Sequence, residues 1–383
     1  MIPYGRQHIS QSDIDAVTEV LHSDFLTQGP AVPAFEQRLA ELTTAQHAIA
    51  VNSATSALHL ACLALGVGLG SRVWTSPISF VASANCARYC GADVDFVDIE
   101  PDTGNMAVDS LREKLEQARL TDTLPQVVIP VHLAGASCDM QQIYYLAKEF
   151  GFSIIEDASH AVGAQYQDEP VGSCRYSDIS IFSFHPVKII TTGEGGIALT
   201  NKPELADKMR LLRSHGISRD DNLMTELSHG AWYYQQLQLG FNYRMTDIQA
   251  ALGLSQSTRL MPIIQKRQLL AANYDRLLAN LPLGLPQLDD TNISAWHLYI
   301  IRLNDKTKRK LVFDGLRDAG IGVNVHYIPI HTQPYYQQLG FDWGDFPIAE
   351  DFYERIISLP MFPELTGEQQ QYISEILQQL LDN

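Results

Sequence analysis

Over the first two-thirds of the chain, apolar residues come in short runs, and between the runs they recur at three- and four-residue steps. The runs fall at residues 47–52, 72–76, 93–98, 126–132, 153–157, 179–184 and 196–200. Runs this short, rich in Val and Ile, predict strands. Between them, Leu58/Ala61/Cys62/Leu65, Leu111/Leu115 and Met140/Ile143/Ala147 trace the apolar faces of helices. Strands alternating with helices predict an α/β fold built on a mainly parallel sheet, covered on both faces. Ligands of such sheets bind at the carboxyl ends of the strands.

The pattern changes near residue 255. Two long helical stretches around 248–281 lead to a Pro-rich turn at 281–286. A strand at 296–303, a helix near 309–319, a strand at 323–326 and a last helix at 368–381 follow, predicting a smaller C-terminal α/β domain. The expected division is an N-terminal segment 1–25 packing with the small domain, a large domain 26–254 and a small domain 255–383. Ser10 and Asp13 have the spacing of a capping box at the start of a first helix.

The chain has 383 residues, enough for two cores. Lys and Arg number 27 against 44 Asp and Glu, a formal charge of -17, which argues against a nucleic-acid partner. No stretch reaches the roughly 20 apolar residues of a membrane span. The first residues lack the apolar stretch of a signal peptide, so a cytoplasmic protein is expected. Five cysteines are scattered through apolar segments; Cys86 and Cys90 sit four apart, but without a second pair at finger spacing they read as buried thiols, and no metal is expected.

Three stretches carry candidate chemistry. In the first, 182–196, Lys188 leaves a buried strand and precedes the turn Gly193-Glu194-Gly195-Gly196. Desolvation disfavours an ammonium, and a neutral amine attacks an aldehyde to form a Schiff base. A surface lysine in a hairpin fits the same letters. Walker spacing is absent here, and 66–70 misses the dinucleotide fingerprint.

In the second, an apolar strand ends at Asp157, 31 residues before Lys188. In one sheet, both side chains reach the same cleft. A carboxylate there can keep a pyridine nitrogen protonated and make the ring an electron sink; a turn cap is the plainer role. In the third, Asn52-Ser53-Ala54-Thr55-Ser56 joins a strand to a helix whose first N–H groups can bind phosphate, although ordinary capping explains the wording as well. Phe80, beyond the next strand, is a candidate to cover a planar ring or to fill the core.

Together these stretches resemble the DegT/DnrJ/StrS family of sugar aminotransferases. So do 26–30, 240–249 and Trp296-His297-Leu298-Tyr299, so the likeness spans nearly the whole chain. The resemblance implies a fold-type-I transferase, like aspartate aminotransferase, that uses pyridoxal 5'-phosphate (PLP) with pyridoxamine 5'-phosphate as its second form. It makes Lys188 the Schiff-base lysine and Asp157 the partner of the pyridinium nitrogen. Ala54, Thr55 and Ser183 would hold the phosphate, joined by Asn242 from a second subunit, so a homodimer with shared sites is implied. Phe80 would stack on the ring and His160 would lie by its 3-hydroxyl, where many members carry Gln. Sugar dehydratases of this fold replace the lysine with histidine, and a non-catalytic relative would lack the lysine or the acid. Lys188 and Asp157 are both present.

The wordings 52–58, 76–82 and 157–161 resemble the subgroup that aminates C4 during pseudaminic acid biosynthesis. That likeness implies L-glutamate as donor and a UDP-linked 4-keto-6-deoxy-N-acetylhexosamine as acceptor. Its diphosphate needs local cations in so acidic a chain. Arg213, His215, Arg244 and His326 adjoin turns expected near the cleft, with His185 and His331 as further candidates.

Overall fold

The computed structural model describes residues 1–289 and 291–382. Each of the seven apolar runs contains a strand of one sheet: β1 (His47–Val51), β2 (Arg72–Thr75), β3 (Asp93–Phe96), β4 (Val127–Ile129), β5 (Ser153–Asp157), β6 (Ile179–Ser183) and β7 (Gly196–Thr200). Their order across the sheet is β3-β2-β4-β5-β6-β7-β1. β7 runs against both its neighbours, and the other four pairings are parallel. The reversal follows from what joins β6 to β7: residues 184–195 form turns and no helix, whereas a parallel neighbour is usually reached through a helical crossover. Every residue of β6 and β7 is buried, as expected for strands covered on both faces.

Two helices precede the sheet, α1 (Gln11–Leu21) and α2 (Ala31–Thr43). The crossovers are α3 (Ala54–Ala64), α4 (Ala82–Tyr89), α5 (Val108–Thr121) and α6 (Met140–Phe150), and α7 (Pro203–Arg213) follows β7. α3 starts where it does because Ser53 Oγ accepts the Ser56 N–H at 3.1 Å. α6 stops at Gly151, whose φ of 83° ends the helix in the left-handed region.

α8 (Asp247–Ser257) packs on α2 at the large part, and the smaller part contains α9 (Leu260–Leu278), α10 (Arg309–Asp318), α11 (Pro347–Arg355) and α12 (Gly367–Asp382). Its antiparallel sheet has the order β8 (Leu283–Gly284), β9 (Tyr299–Leu303), β10 (Ile356–Leu359). Two expectations change here. Residues 323–326 do not form a strand; a single bridge joins Asn324 to Ser358. The strand expected from 296 begins at Tyr299, because Trp296 turns the chain with a φ of 50°.

The N-terminal segment is shared between the two parts. Ile2 pairs with Ile321 and Tyr4 O accepts the Met361 N–H at 2.9 Å, whereas α1 packs on α8. Ser10 and Asp13 form a capping box, and the buried Asp13 also accepts from Ser255 Oγ and Gln256 Nε2, each at 2.7 Å, and pairs with Arg259.

A second acidic clamp explains why 26–30 and 240–249 read as motifs. Asp247, buried at the start of α8, accepts the N–H groups of Gly29 and Ala31, both at 2.8 Å. Gly29 packs so closely on Phe25 that a Cβ there would collide with it. Upstream of α8, Tyr243 O accepts the Asn52 N–H at 2.9 Å and Arg244 bridges to Val51. The 240–249 segment is thus anchored beside the start of α3.

No helix among the described residues is long and apolar enough to cross a membrane.

Candidate active site

The carboxyl ends of β1, β5 and β6 and the amino end of β7 share one edge of the sheet. In register, Gly196 lies opposite Ser183 on one side and Val51 on the other. A Cβ at Gly196 would collide with Ala54 N, so only glycine lets β7 pass so close to the start of α3. Ser56 N–H is capped by Ser53, but among the described residues the N–H groups of Ala54 and Thr55 meet no protein acceptor. Two free N–H groups at a helix start, with the Ser183 hydroxyl adjoining, fit a phosphate.

The loop carrying Lys188 is built by its neighbours. Phe184 O accepts from Thr192 N at 3.0 Å and Thr191 Oγ1 at 2.8 Å, and Phe184 N–H donates to Gly195 O at 2.9 Å. Lys188 N–H donates to His185 O at 2.9 Å, closing a tight turn. Lys188 retains some exposure, yet its amine makes no hydrogen bond or ion pair among the described residues. Burial pulls its pKa down to about 8, partly opposed by the Asp157 carboxylate. Half of such an amine is neutral at pH 8, against under about 1% for an ordinary lysine. An aldehyde should therefore couple to Lys188 about tenfold faster for each unit that pH rises toward 8, and the rate should level off above it. Stopped-flow absorbance with pyridoxal phosphate across pH 6–10 checks this; a rate still climbing at pH 10 would show an ordinary amine.

Asp157 ends β5 and is buried. Its Oδ2 accepts from Ser83 Oγ at 2.5 Å, and its Oδ1 accepts from Ser159 Oγ at 2.6 Å and Ser159 N at 3.2 Å. Both proposed roles for this acid are compatible: it caps the turn after β5, and the three donors hold its carboxyl group in place at the sheet edge. Ser83, on α4, was not apparent as a site residue from the sequence; only folding brings it to an acid 74 positions away.

His160 is buried beside this acid. Its Nδ1 accepts the Ala134 N–H at 3.3 Å, and its Nε2 lies 3.1 Å from Tyr327 Oη. Burial holds its pKa well below the usual histidine range, with Lys188 and His326 adding to the effect. Phe80 is 60% exposed, its ring centroid 6.4 Å from that of Tyr327, as an aromatic awaiting a partner would be. His326 is buried, bonded to Ser358 Oγ at 2.8 Å, and pulled down to about pKa 4 by burial and by Lys188. At neutral pH it offers a hydrogen bond, not a charge.

The other candidates separate. His185 is exposed at the Lys188 turn, 4.0 Å from Glu194. Arg244 lines a cavity of about 190 Å³ with Gln28, Gly29, Arg213 and Ser214. Arg213 is already committed to Glu36 at 2.5 Å and Ala50 O at 2.7 Å, leaving Arg244 as the cation there without an ion pair among the described residues. His215 adjoins, its N–H donating to Phe241 O. Asn242 is exposed, held through its carbonyl by Asn52. His331 does not reach the cleft. It is fully buried against Phe96 and Phe346 and bonded to Glu350 at 3.0 Å, because Pro329 fixes where the chain turns but not which way the next ring points.

An open α/β sheet with a depressed lysine, a fixed carboxylate and a free helix start at one edge defines the class: an enzyme of the PLP transferase kind. The particular family follows from comparison. The profile described as the DegT/DnrJ/EryC1/StrS aminotransferase family matches residues 7–378, and the chain belongs to that family. It is 39% identical over 389 residues to the UDP-4-amino-4,6-dideoxy-N-acetyl-beta-L-altrosamine transaminase of Campylobacter jejuni subsp. jejuni serotype O:23/36, covering 100% of this chain and 98% of that one. Among solved structures, Helicobacter pylori PseC, an aminotransferase involved in pseudoaminic acid biosynthesis, superposes with a TM-score of 0.90 at 36% identity, covering 100% and 99% of the two chains. Spr1654 from Streptococcus pneumoniae, assigned as a sugar aminotransferase, gives 0.91 in its PMP form at 32% identity, with the same coverage. Its PLP form is also known. The protein is a PLP-dependent sugar aminotransferase.

Proposed function

We propose that this enzyme moves the amino group of L-glutamate to C4 of a UDP-linked 4-keto-6-deoxy-N-acetylhexosamine. The product would be UDP-4-amino-4,6-dideoxy-N-acetyl-β-L-altrosamine, a precursor of pseudaminic acid. The observation that carries the mechanism is the placement of Lys188, with its pKa near 8, in the field of Asp157 at the edge where α3 begins. The sugar assignment rests on the similarity to the Campylobacter transaminase and to PseC.

When bound, PLP supplies an aldehyde for the amine and a ring that accepts the electron pair from the carbon losing its proton. Lys188 would hold the cofactor and, when free, would move the proton at the donor's α-carbon, a role typically worth about 10²–10⁴-fold. Asp157 keeps the ring nitrogen protonated. Ala54 and Thr55 N–H groups with Ser183 hold the phosphate, and Phe80 covers the ring. Asn242 of a second copy completes the phosphate site, so the working unit is a homodimer. Arg244 at the 190 Å³ cavity, with His215 next in sequence to the lining residue Ser214, would face the sugar diphosphate, with His185 and His326 nearer Lys188.

NMR of the product tests the substrate. The new amine should sit on C4 with the N-acetyl group unchanged at C2. An amine on C3, or turnover with dTDP sugars alone, would reassign the substrate and leave the PLP chemistry intact.

A further inference from the structure

His160 has no nitrogen to spare. It is held neutral by burial, and its Nδ1 accepts the Ala134 N–H, so its one proton must be on Nε2. Nε2–H therefore donates to Tyr327 Oη, 3.1 Å away. The two rings lie nearly parallel, 24° apart with centroids at 6.0 Å, which fixes the phenol's position. Behind His160 sits His297, buried, its centroid 4.3 Å away and its Nδ1 without a partner among the described residues. Gly135 wedges between them: a Cβ there would press on His160 O, Trp296 N and His297 N. This packing uses the Trp296–His297 motif and leaves His160 little room to turn toward another acceptor.

A phenol has one proton and two lone pairs. One lone pair of Tyr327 is taken by His160, its one hydrogen-bond partner among the described residues, so its proton is unspent. Burial pushes the phenol's pKa up, with Asp157 and Tyr4 adding, so the proton stays on. The titratable groups around it are Asp157, His160, His326 and Tyr4. It is a donor without an acceptor, in the cleft shared by Phe80, Asp157 and Lys188.

The family resemblance puts an imidazole beside the cofactor's 3-hydroxyl, but here that imidazole cannot donate without losing Tyr327. We propose that Tyr327 takes the contact: its hydroxyl, oriented by His160, donates a hydrogen bond to the phenolic oxygen of PLP. The proposal rests on the cofactor reading above. A donor at that oxygen draws its negative charge away from the proton on the neighbouring Lys188 nitrogen, and the proton leaves at lower pH.

The test needs no substrate. The visible absorption of the PLP-loaded enzyme is titrated with pH, and its midpoint compared between variants. Tyr327→Phe keeps the ring and removes the donor, and should raise the midpoint by about one pH unit, tenfold in the proton equilibrium. Replacing Tyr327 with 3-fluorotyrosine, a stronger donor, should lower it. Midpoints unmoved in both variants, or moved the other way, overturn the proposal. A wild-type protein that forms no lysine-bound chromophore overturns the cofactor reading itself, so the two failures are distinguishable.

Discussion

Lys188→Ala should bind PLP and turn over nothing measurable, a loss of more than about 10³-fold, since general acid–base transfer alone accounts for 10²–10⁴. Borohydride reduction of the wild-type holoenzyme followed by peptide mapping should leave the pyridoxyl group on Lys188; a label on another lysine sinks the assignment. The same variant tests subunit sharing. Mixed with an inactive Asn242→Ala chain, it should form heterodimers in which one of the two sites has both residues intact. Activity should then return to a preparation made from two dead proteins. No recovery despite demonstrated subunit exchange, given that Asn242→Ala is itself inactive, argues against a shared site.

Asp157→Asn should retain PLP and transaminate roughly 10–150-fold more slowly. That range converts the 1.5–3 kcal/mol of a charge-assisted hydrogen bond, lost when a neutral amide replaces the carboxylate. The amide keeps an oxygen for Ser159 or Ser83, so the turn after β5 should survive. The variant also removes the charge that holds the Lys188 pKa up, so that amine should become still easier to deprotonate. Near-normal turnover with an unchanged Lys188 would make Asp157 a turn cap only.

The central sheet was legible because strands covered on both faces must be apolar throughout, and their ends mark where polar chemistry begins. Lys188 and Asp157 sit at such ends. Other parts left no periodic trace. β10 is four buried residues between α11 and a proline, too short a run to stand out, and 323–326 looked like a strand but has one bridge. Tyr327 and Ser83 were missed because what matters about them is a contact across 167 and 74 positions, the first set by how the two parts meet and the second by how the large part folds. His331 shows the reverse: a histidine after a proline turn looked available, but its ring faces Phe96 and Phe346.

The way Ile2 and Tyr4 close onto Ile321 and Met361 also orders events during synthesis. These early residues are among the last to find their places. At 5–20 residues per second, Tyr4 waits roughly 20–70 s for Met361 to appear. β1 waits as well, since its one sheet neighbour is β7, some 150 residues later. Until then, β1 has α2 against it but no strand beside it, and α1 with its buried Asp13 lacks α8. That interval, more than the stability of the finished enzyme, is when the chain most needs protection from aggregation.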